Sequence, residues 1–226
     1  MSLLEDSFSG SEGQIYSSDQ VIEALSPQIT ARRLARMKEV VAERTYSFAS
    51  VLENIYDRGN VSAVMRSAEA FGFMNFHIVE QPDARFKAAN RVTQGTDKWL
   101  DIKKHASTSA CVSQLRGYGY KIYATHLEAS VPIDEVDFSQ PTAVVFGNEK
   151  DGVSDEMLSA CDGRIILPMH GFAQSFNISV AAAITFYHVY QARTAALGKS
   201  GDLSEQDQQI LFARYIQKSV PRSALR

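Results

Sequence analysis

From residue 48 to residue 196, short apolar runs alternate with stretches whose apolar residues recur at helical spacing. The runs at 48–52, 75–79, 99–103, 121–125, 142–146 and 164–167 read as strands. The stretches at 60–71, 107–118, 154–161 and 177–196 read as helices, and 204–217 adds another after the linker Gly198-Lys199-Ser200-Gly201. Such alternation predicts an α/β fold, a mostly parallel sheet with helices on both faces. Open sheets of this kind collect ligands at the carboxyl ends of their strands. The strand-to-helix junctions are therefore the places to look for chemistry.

Three junctions carry unusual residues. In the last of them, Ile165-Ile166-Leu167 stops at Pro168, a loop with Gly171 follows, and Ser175, Asn177 and Ser179 alternate before Ala181-Ala182-Ala183. Alanine permits close backbone approach, and Ser or Asn at a helix start sits beside N–H groups that can hold a ligand. In the first, Asn60 stands where the N-cap of helix 60–71 belongs. Val61, Val64, Met65, Ala68 and Phe71 face the core, while Ser62, Arg66 and Glu69 share the opposite stripe. In the second, Gly147 and Gly152 bracket Asn148-Glu149-Lys150-Asp151. Glycine there allows positive φ and close ligand approach. Ser154 is placed to cap the next helix, with Asp155 and Glu156 favourable in its first turn. Taken singly, each junction also reads as plain structure: a capped helix or a tight turn.

The 226 residues suit one domain with appendages, and 45% hydrophobic content is enough for a sizeable core. No run approaches the roughly 18 apolar residues that span a membrane, and the acidic, Ser-rich N-terminus does not read as a signal peptide. Cys111 and Cys161 have no metal-ligand spacing, so they read as two reduced, buried thiols in a cytoplasmic protein.

The net charge of −3 is unevenly spread. Residues 1–25 hold acids and no Lys or Arg, whereas Arg32, Arg33, Arg36, Lys38 and Arg44 crowd residues 30–44. Arg214, Lys218, Arg222 and Arg226 close the chain without an acid among them. Such asymmetry builds a local basic surface on an acidic protein. The expected organisation is a mobile acidic arm (1–27), a basic helix (28–46) with Leu34, Met37, Val40 and Val41 on one face, the α/β domain (47–197), and a C-terminal helix with a basic tail (198–226).

The order and wording of the three junctions resemble the signature motifs of the SpoU/TrmH family of RNA ribose 2′-O-methyltransferases, in the SPOUT class. The resemblance runs from about residue 30 to residue 195 and is strongest to the branch that methylates guanosine 18 in the D-loop of tRNA. It implies S-adenosyl-L-methionine as methyl donor, a tRNA ribose 2′-hydroxyl as acceptor, a homodimer and a deep C-terminal trefoil knot, and the sequence shows no clustered His, Cys or carboxylate ligands, so no metal is expected. It implies catalytic roles for Asn60, Arg66, Glu149, Ser175 and Asn177. It places the cofactor against Thr125-His126-Leu127, against Gly147-Asn148-Glu149, and against Ile166, Leu167, Met169, Ser175 and Asn177.

Arg33, Arg36, Arg44, Arg58, Lys218 and Arg222 are the candidates for holding tRNA phosphates. Residues 95–99 resemble an RNA-facing or interface loop. The family's usual Asp-Pro-x-Asn is replaced by Asp57-Arg58-Gly59-Asn60, a more flexible and more charged loop.

Arginine is normally a permanent cation. It can stabilise a developing alkoxide or grip the neighbouring phosphate, whereas the family proposal makes it a general base. The sequence leaves those roles for Arg66 open. The alternative targets are rRNA or another tRNA position. The alternative of another class is a non-catalytic RNA-binding or assembly protein, against which the intact motif residues count. A dinucleotide-binding enzyme is disfavoured, because no Gly-x-Gly-x-x-Gly follows the first strand.

Overall fold

The computed structural model describes residues 4–80, 95–128 and 130–221. The chain divides into two compact units, one of Met1–Arg44 with Gly201–Arg226 and one of Thr45–Ser200. No described helix is long and apolar enough to cross a membrane.

The smaller unit begins with a pair of two-residue strands, β1 (Phe8–Ser9) and β2 (Ile15–Tyr16), followed by helices α1 (Ser18–Leu25) and α2 (Ala31–Ala42). It is completed by the last helix, α7 (Glu205–Gln217). The expectation of a mobile arm over 1–27 is corrected here. Ser17 and Gln20 form a reciprocal capping box, and Val21 and Leu25, four residues apart, are fully buried. Gln209 on α7 donates to the Asp19 carboxylate at 2.6 Å.

On α2, Met37 and Val41 face inward, while Arg33 and Arg36 are exposed. Arg44 is only 3% exposed, so its guanidinium offers almost no surface to a phosphate; its assignment to RNA is withdrawn. The C-terminal helix is not a basic face either. Ile210, Leu211, Phe212, Tyr215 and Ile216 are buried, its first turn is acidic, and Arg214 donates to the Glu5 carbonyl. Lys218 is exposed, and Arg222 lies outside the described residues.

The larger unit contains β3 (Thr45–Glu53), α3 (Arg58–Ala70), β4 (Phe73–Val79), β5 (Asp101–His105), α4 (Thr108–Gly117), β6 (Lys121–Thr125), β7 (Val131–Pro132), β8 (Thr142–Phe146), α5 (Asp155–Ala160), β9 (Gly163–Ile166) and α6 (Ile178–Leu197). Among the described residues the strands form one sheet in the order β5-β4-β3-β8-β6-β9-β7, with every neighbouring pair parallel. Both faces are covered, so β3 is buried at every residue but Ser47 and β8 is buried throughout. Phe48, Leu52, Val144 and Phe146 pack under α3 and α6, while Ala49, Val51, Ala143 and Val145 pack under α4 and α5. Phe186 of α6 sets its ring edge-on to Phe48, Phe73 and Phe146, with centroids 5.7, 5.7 and 6.0 Å away.

Three local expectations change. Trp99 does not open a strand; residues 96–99 form a 3₁₀ turn, and Lys98 Nζ sits 4.4 Å from the Trp99 ring centroid. Strand β7 went unpredicted because it has two residues, one of them proline, which a sheet tolerates at its edge. Ser62, expected on the exposed stripe of α3, is fully buried.

Candidate active site

Strands β3, β8, β6 and β9 lie side by side, and chain order reverses across them. A cavity of about 790 Å³ opens at their carboxyl ends. Its size is that of a small-molecule site. Thr125, His126 and Leu127 after β6 line it, as do Gly147, Asn148 and Glu149 after β8. Ile166, Leu167 and Met169 after β9, with Ser175 and Asn177 before α6, complete the wall. All the residues assigned to the cofactor thus face one space, although they come from three separate loops.

The loop after β8 is held by its own backbone and by β3. Asn148 and Gly152 exchange both main-chain hydrogen bonds at 2.9 Å. The Asn148 side chain accepts from the Lys150 and Asp151 amides at 2.8 and 3.1 Å and donates to the Asn54 carbonyl at 2.6 Å. Gly147 was expected to admit a ligand; its nearest constraint is the loop itself. A Cβ at Gly147 would lie 2.2 Å from the Gly152 carbonyl carbon and the Val153 nitrogen.

Glu53, which the sequence reading missed, anchors the far end of this loop. Its buried carboxylate accepts from the Ser154 amide at 2.8 Å, from the Ser154 hydroxyl at 2.7 Å and from the Thr108 hydroxyl at 3.2 Å. An acid directly after the predicted strand 48–52, at its carboxyl end, was the signal that could have exposed it.

The three motifs meet in a polar cluster at the cavity edge. Asn60 was expected to be an N-cap, but Asp57 takes that position, its Oδ1 accepting from the Gly59 amide at 2.7 Å. This places Asn60 within the first turn of α3, from which its side chain reaches across. Asn60 Nδ2 donates to Glu149 Oε1 at 3.0 Å, and Asn177 Nδ2 donates to Asn60 Oδ1 at 3.2 Å. The second Glu149 oxygen accepts from the Tyr56 amide at 3.3 Å.

Asn177 works in two directions, because its Oδ1 also caps α6 by accepting from the Ser179 amide at 2.9 Å. Asn177→Ala is therefore expected to cost about 1 kcal/mol of stability. Asn177→Asp should keep the cap while losing the donor to Asn60. Urea unfolding of the two variants checks this; equal midpoint losses would contradict the split role.

The remaining predicted residues separate. Arg66 is exposed and does not line the cavity. It stands six residues beyond Asn60, a rise of about 9 Å along α3. Arg58 is exposed at the first position of α3, beside the Asn60–Glu149 pair. His126 is engaged locally, its Nδ1 accepting from the Glu128 amide at 3.0 Å. His170 is exposed and outside the lining.

Comparison with known proteins agrees with this geometry. The family model described as the SpoU rRNA Methylase family matches residues 47–187. The tRNA (guanosine(18)-2'-O)-methyltransferase of Escherichia coli K12 is 36% identical over 184 residues, which are 80% of each chain. The crystal structure of the Aquifex aeolicus TrmH/SpoU tRNA modifying enzyme superposes with a TM-score of 0.77 at 32% identity, over 84% of this chain and 98% of that one. An AdoMet-bound rRNA methyltransferase from Sinorhizobium meliloti gives a TM-score of 0.60 at 25% identity, over 69% of this chain and 59% of that one. A parallel sheet with its cavity at the reversal of strand order, three motif loops joined through Asn60, Glu149 and Asn177, and a match over residues 47–187, most of that unit, lead to one conclusion: the chain belongs to the SpoU methylase family.

Proposed function

We propose that this protein transfers a methyl group from S-adenosylmethionine to the ribose 2′-hydroxyl of guanosine 18 in tRNA. The observation that carries the reading is the Asn60–Glu149–Asn177 cluster at the rim of the 790 Å³ cavity, in a chain 36% identical to an enzyme of that name. The cavity fits the cofactor chemically. Leu127, Leu167 and Met169 give it apolar wall, while Thr125, Glu149, Ser175 and Asn177 offer polar groups for an adenosine and an amino acid moiety. When bound, S-adenosylmethionine supplies an electrophilic sulfonium methyl group. Glu149 holds Asn60 and the Tyr56 backbone in place, which fixes the loop the ribose must approach. Arg66 grips the adjacent phosphate and stabilises the negative charge that develops on the 2′-oxygen as its proton leaves to solvent water. No metal is assigned to this reaction.

The same reading includes a homodimer. Val180, Ile184 and Tyr187 on α6 are 46, 40 and 56% exposed, an apolar stripe beside the cavity loop. A second copy covering it brings a further face to a site from which Arg66 otherwise stands apart. It also includes the trefoil knot, favoured by β9 lying between β6 and β7 in the sheet, and a cytoplasmic location with the tRNA. Mapping 2′-O-methylated nucleotides in total RNA from a strain lacking the gene tests the target. Loss of the mark at guanosine 18 of tRNA alone is expected; loss at an rRNA or another tRNA position overturns it.

Arg33 and Arg36, exposed on α2, are assigned to tRNA phosphates, with Arg58 and Lys218. The Arg36 ion pair with Glu39, 3.0 Å long and exposed, holds little energy and gives way easily. Arg33/Arg36→Ala should flatten the salt dependence of tRNA binding by roughly 0.7–0.9 per lost contact, without moving the target nucleotide. Filter binding across a salt series checks this; a wild-type slope would remove α2 from the RNA surface.

A further inference from the structure

Away from the cavity, on the face of the sheet under α4, three ligand-type side chains converge. His77 of β4 pairs in register with Lys103, and His105 lies two residues further along β5, so both imidazoles stand on one face. Cys111, in the first turns of α4, points down at them. His77 Nδ1 is 2.9 Å from His105 Nε2 and 3.9 Å from Cys111 Sγ, and all three atoms lie within 4.8 Å of one another.

The surroundings orient His77 as a ligand. Its Nε2 lies 3.0 Å from Asn75 Oδ1, an acceptor, so the proton sits on Nε2 and the Nδ1 lone pair faces the cluster. Asn75 is itself fixed, donating to the Tyr120 hydroxyl at 3.0 Å and accepting from Lys103 Nζ at 3.2 Å. An imidazole whose distal N–H is held by a fixed carbonyl is the usual outer support of a metal-binding histidine. Burial, with help from Lys103 and His105, lowers the His77 pKa to about 3, so the ring is neutral at physiological pH.

We propose that His77 Nδ1, His105 Nε2 and Cys111 Sγ form a structural site for a borderline transition-metal ion of the zinc class. Two nitrogens and a sulfur suit that class rather than magnesium or calcium. Tetrahedral bonding at about 2.0–2.3 Å asks for ligand separations of roughly 3.3–3.6 Å. The two from His77, 2.9 and 3.9 Å, are a few tenths of an ångström away, and His105 and Cys111, within 4.8 Å of each other, close by up to about 1 Å as the ion binds. On binding, the Cys111 thiol gives up its proton to solvent and a sulfur–metal bond forms. His105 moves its N–H from Nε2 to Nδ1, and no electron is transferred. Half-buried His105 leaves a way in and a fourth position for water. The Lys103 ammonium opposes the ion, and burial, with the Glu53 carboxylate, pushes the Cys111 thiol up to about 12, so the sulfur–metal bond must drive that proton off. The ion ties α4 to the β4–β5 edge of the sheet and takes no part in methyl transfer.

The test uses the full-length protein, freed of metal with a chelator and titrated with Co²⁺ and then Zn²⁺. One equivalent of Co²⁺ is expected to give a thiolate-to-cobalt absorption band that Zn²⁺ removes. The band should vanish in Cys111→Ala and in His105→Ala, and persist in Cys161→Ala. Zn²⁺ at a hundredfold its Kd should raise the wild-type Tm by about 5–10 °C. His105→Ala, at a half-buried position, keeps the test valid if Cys111→Ala fails to fold, with circular dichroism as the check. No band in the wild type, a band surviving in folded Cys111→Ala or His105→Ala, or one that follows Cys161 would overturn the site and leave the contacts as hydrogen bonds alone.

Discussion

Arg66→Ala is expected to slow methyl transfer by about 10²–10³-fold while leaving S-adenosylmethionine affinity unchanged, the size expected when one group aimed at a developing oxyanion is removed. The two halves of that expectation come from different facts. Arg66 is exposed and absent from the cavity wall, so removing it takes no contact from the cofactor. It follows Asn60 on the helix whose first turn meets Glu149, and the proposed function assigns it to the ribose and its phosphate rather than to the cofactor. Arg66→Lys should not restore the rate, because a planar fork and a point charge hold a phosphate differently. Single-turnover rates at saturating RNA, with calorimetric cofactor titrations, decide it. A near-normal rate in either variant removes Arg66 from the chemistry, and a lost cofactor affinity would place it in the cavity instead.

Gly147→Ala should weaken cofactor binding by about a hundredfold or more, a loss of roughly 3 kcal/mol. Its Cβ would sit 2.2 Å from two backbone atoms of Gly152 and Val153, a separation that no side-chain rotation relieves. The loop must open, and opening it breaks the paired Asn148–Gly152 bonds and shifts Asn148 from the Asn54 carbonyl. Overpacking of this kind costs about 1–3 kcal/mol before any ligand is considered. Gly171→Ala is the control, since its Cβ would meet nothing within 4 Å. Unchanged cofactor affinity in folded Gly147→Ala would show that the loop's shape does not govern the pocket.

The sheet was legible where short apolar runs are bounded by polar residues or glycine. β6 and β8 fall on the predicted 121–125 and 142–146 because their apolar runs end abruptly at polar residues. α1 was missed under a polar composition, although Ser17, Gln20, Val21 and Leu25 carry its cap and its buried stripe. The cavity wall was legible because family motifs name residues loop by loop. The contacts that shape it were not. Glu53 acts through Ser154, a hundred and one residues away, and Asn60 became a cluster residue only because Asp57 displaced it from the cap. Arg44 carried the right charge but lies in a buried position that its helical neighbours do not announce. His77, His105 and Cys111 come from two strands and a helix, so no sequence spacing brings them together.

The central claim is methyl transfer to one 2′-hydroxyl, and it is tested by changing that hydroxyl alone. Two tRNA transcripts of identical sequence, one with guanosine and one with 2′-deoxyguanosine at position 18, are incubated with the purified protein and labelled S-adenosylmethionine. One methyl group per molecule of the first is expected, mapped to guanosine 18, and none on the second, with both transcripts bound equally well. Label on the deoxy transcript, or on any other nucleotide of the first, would contradict it.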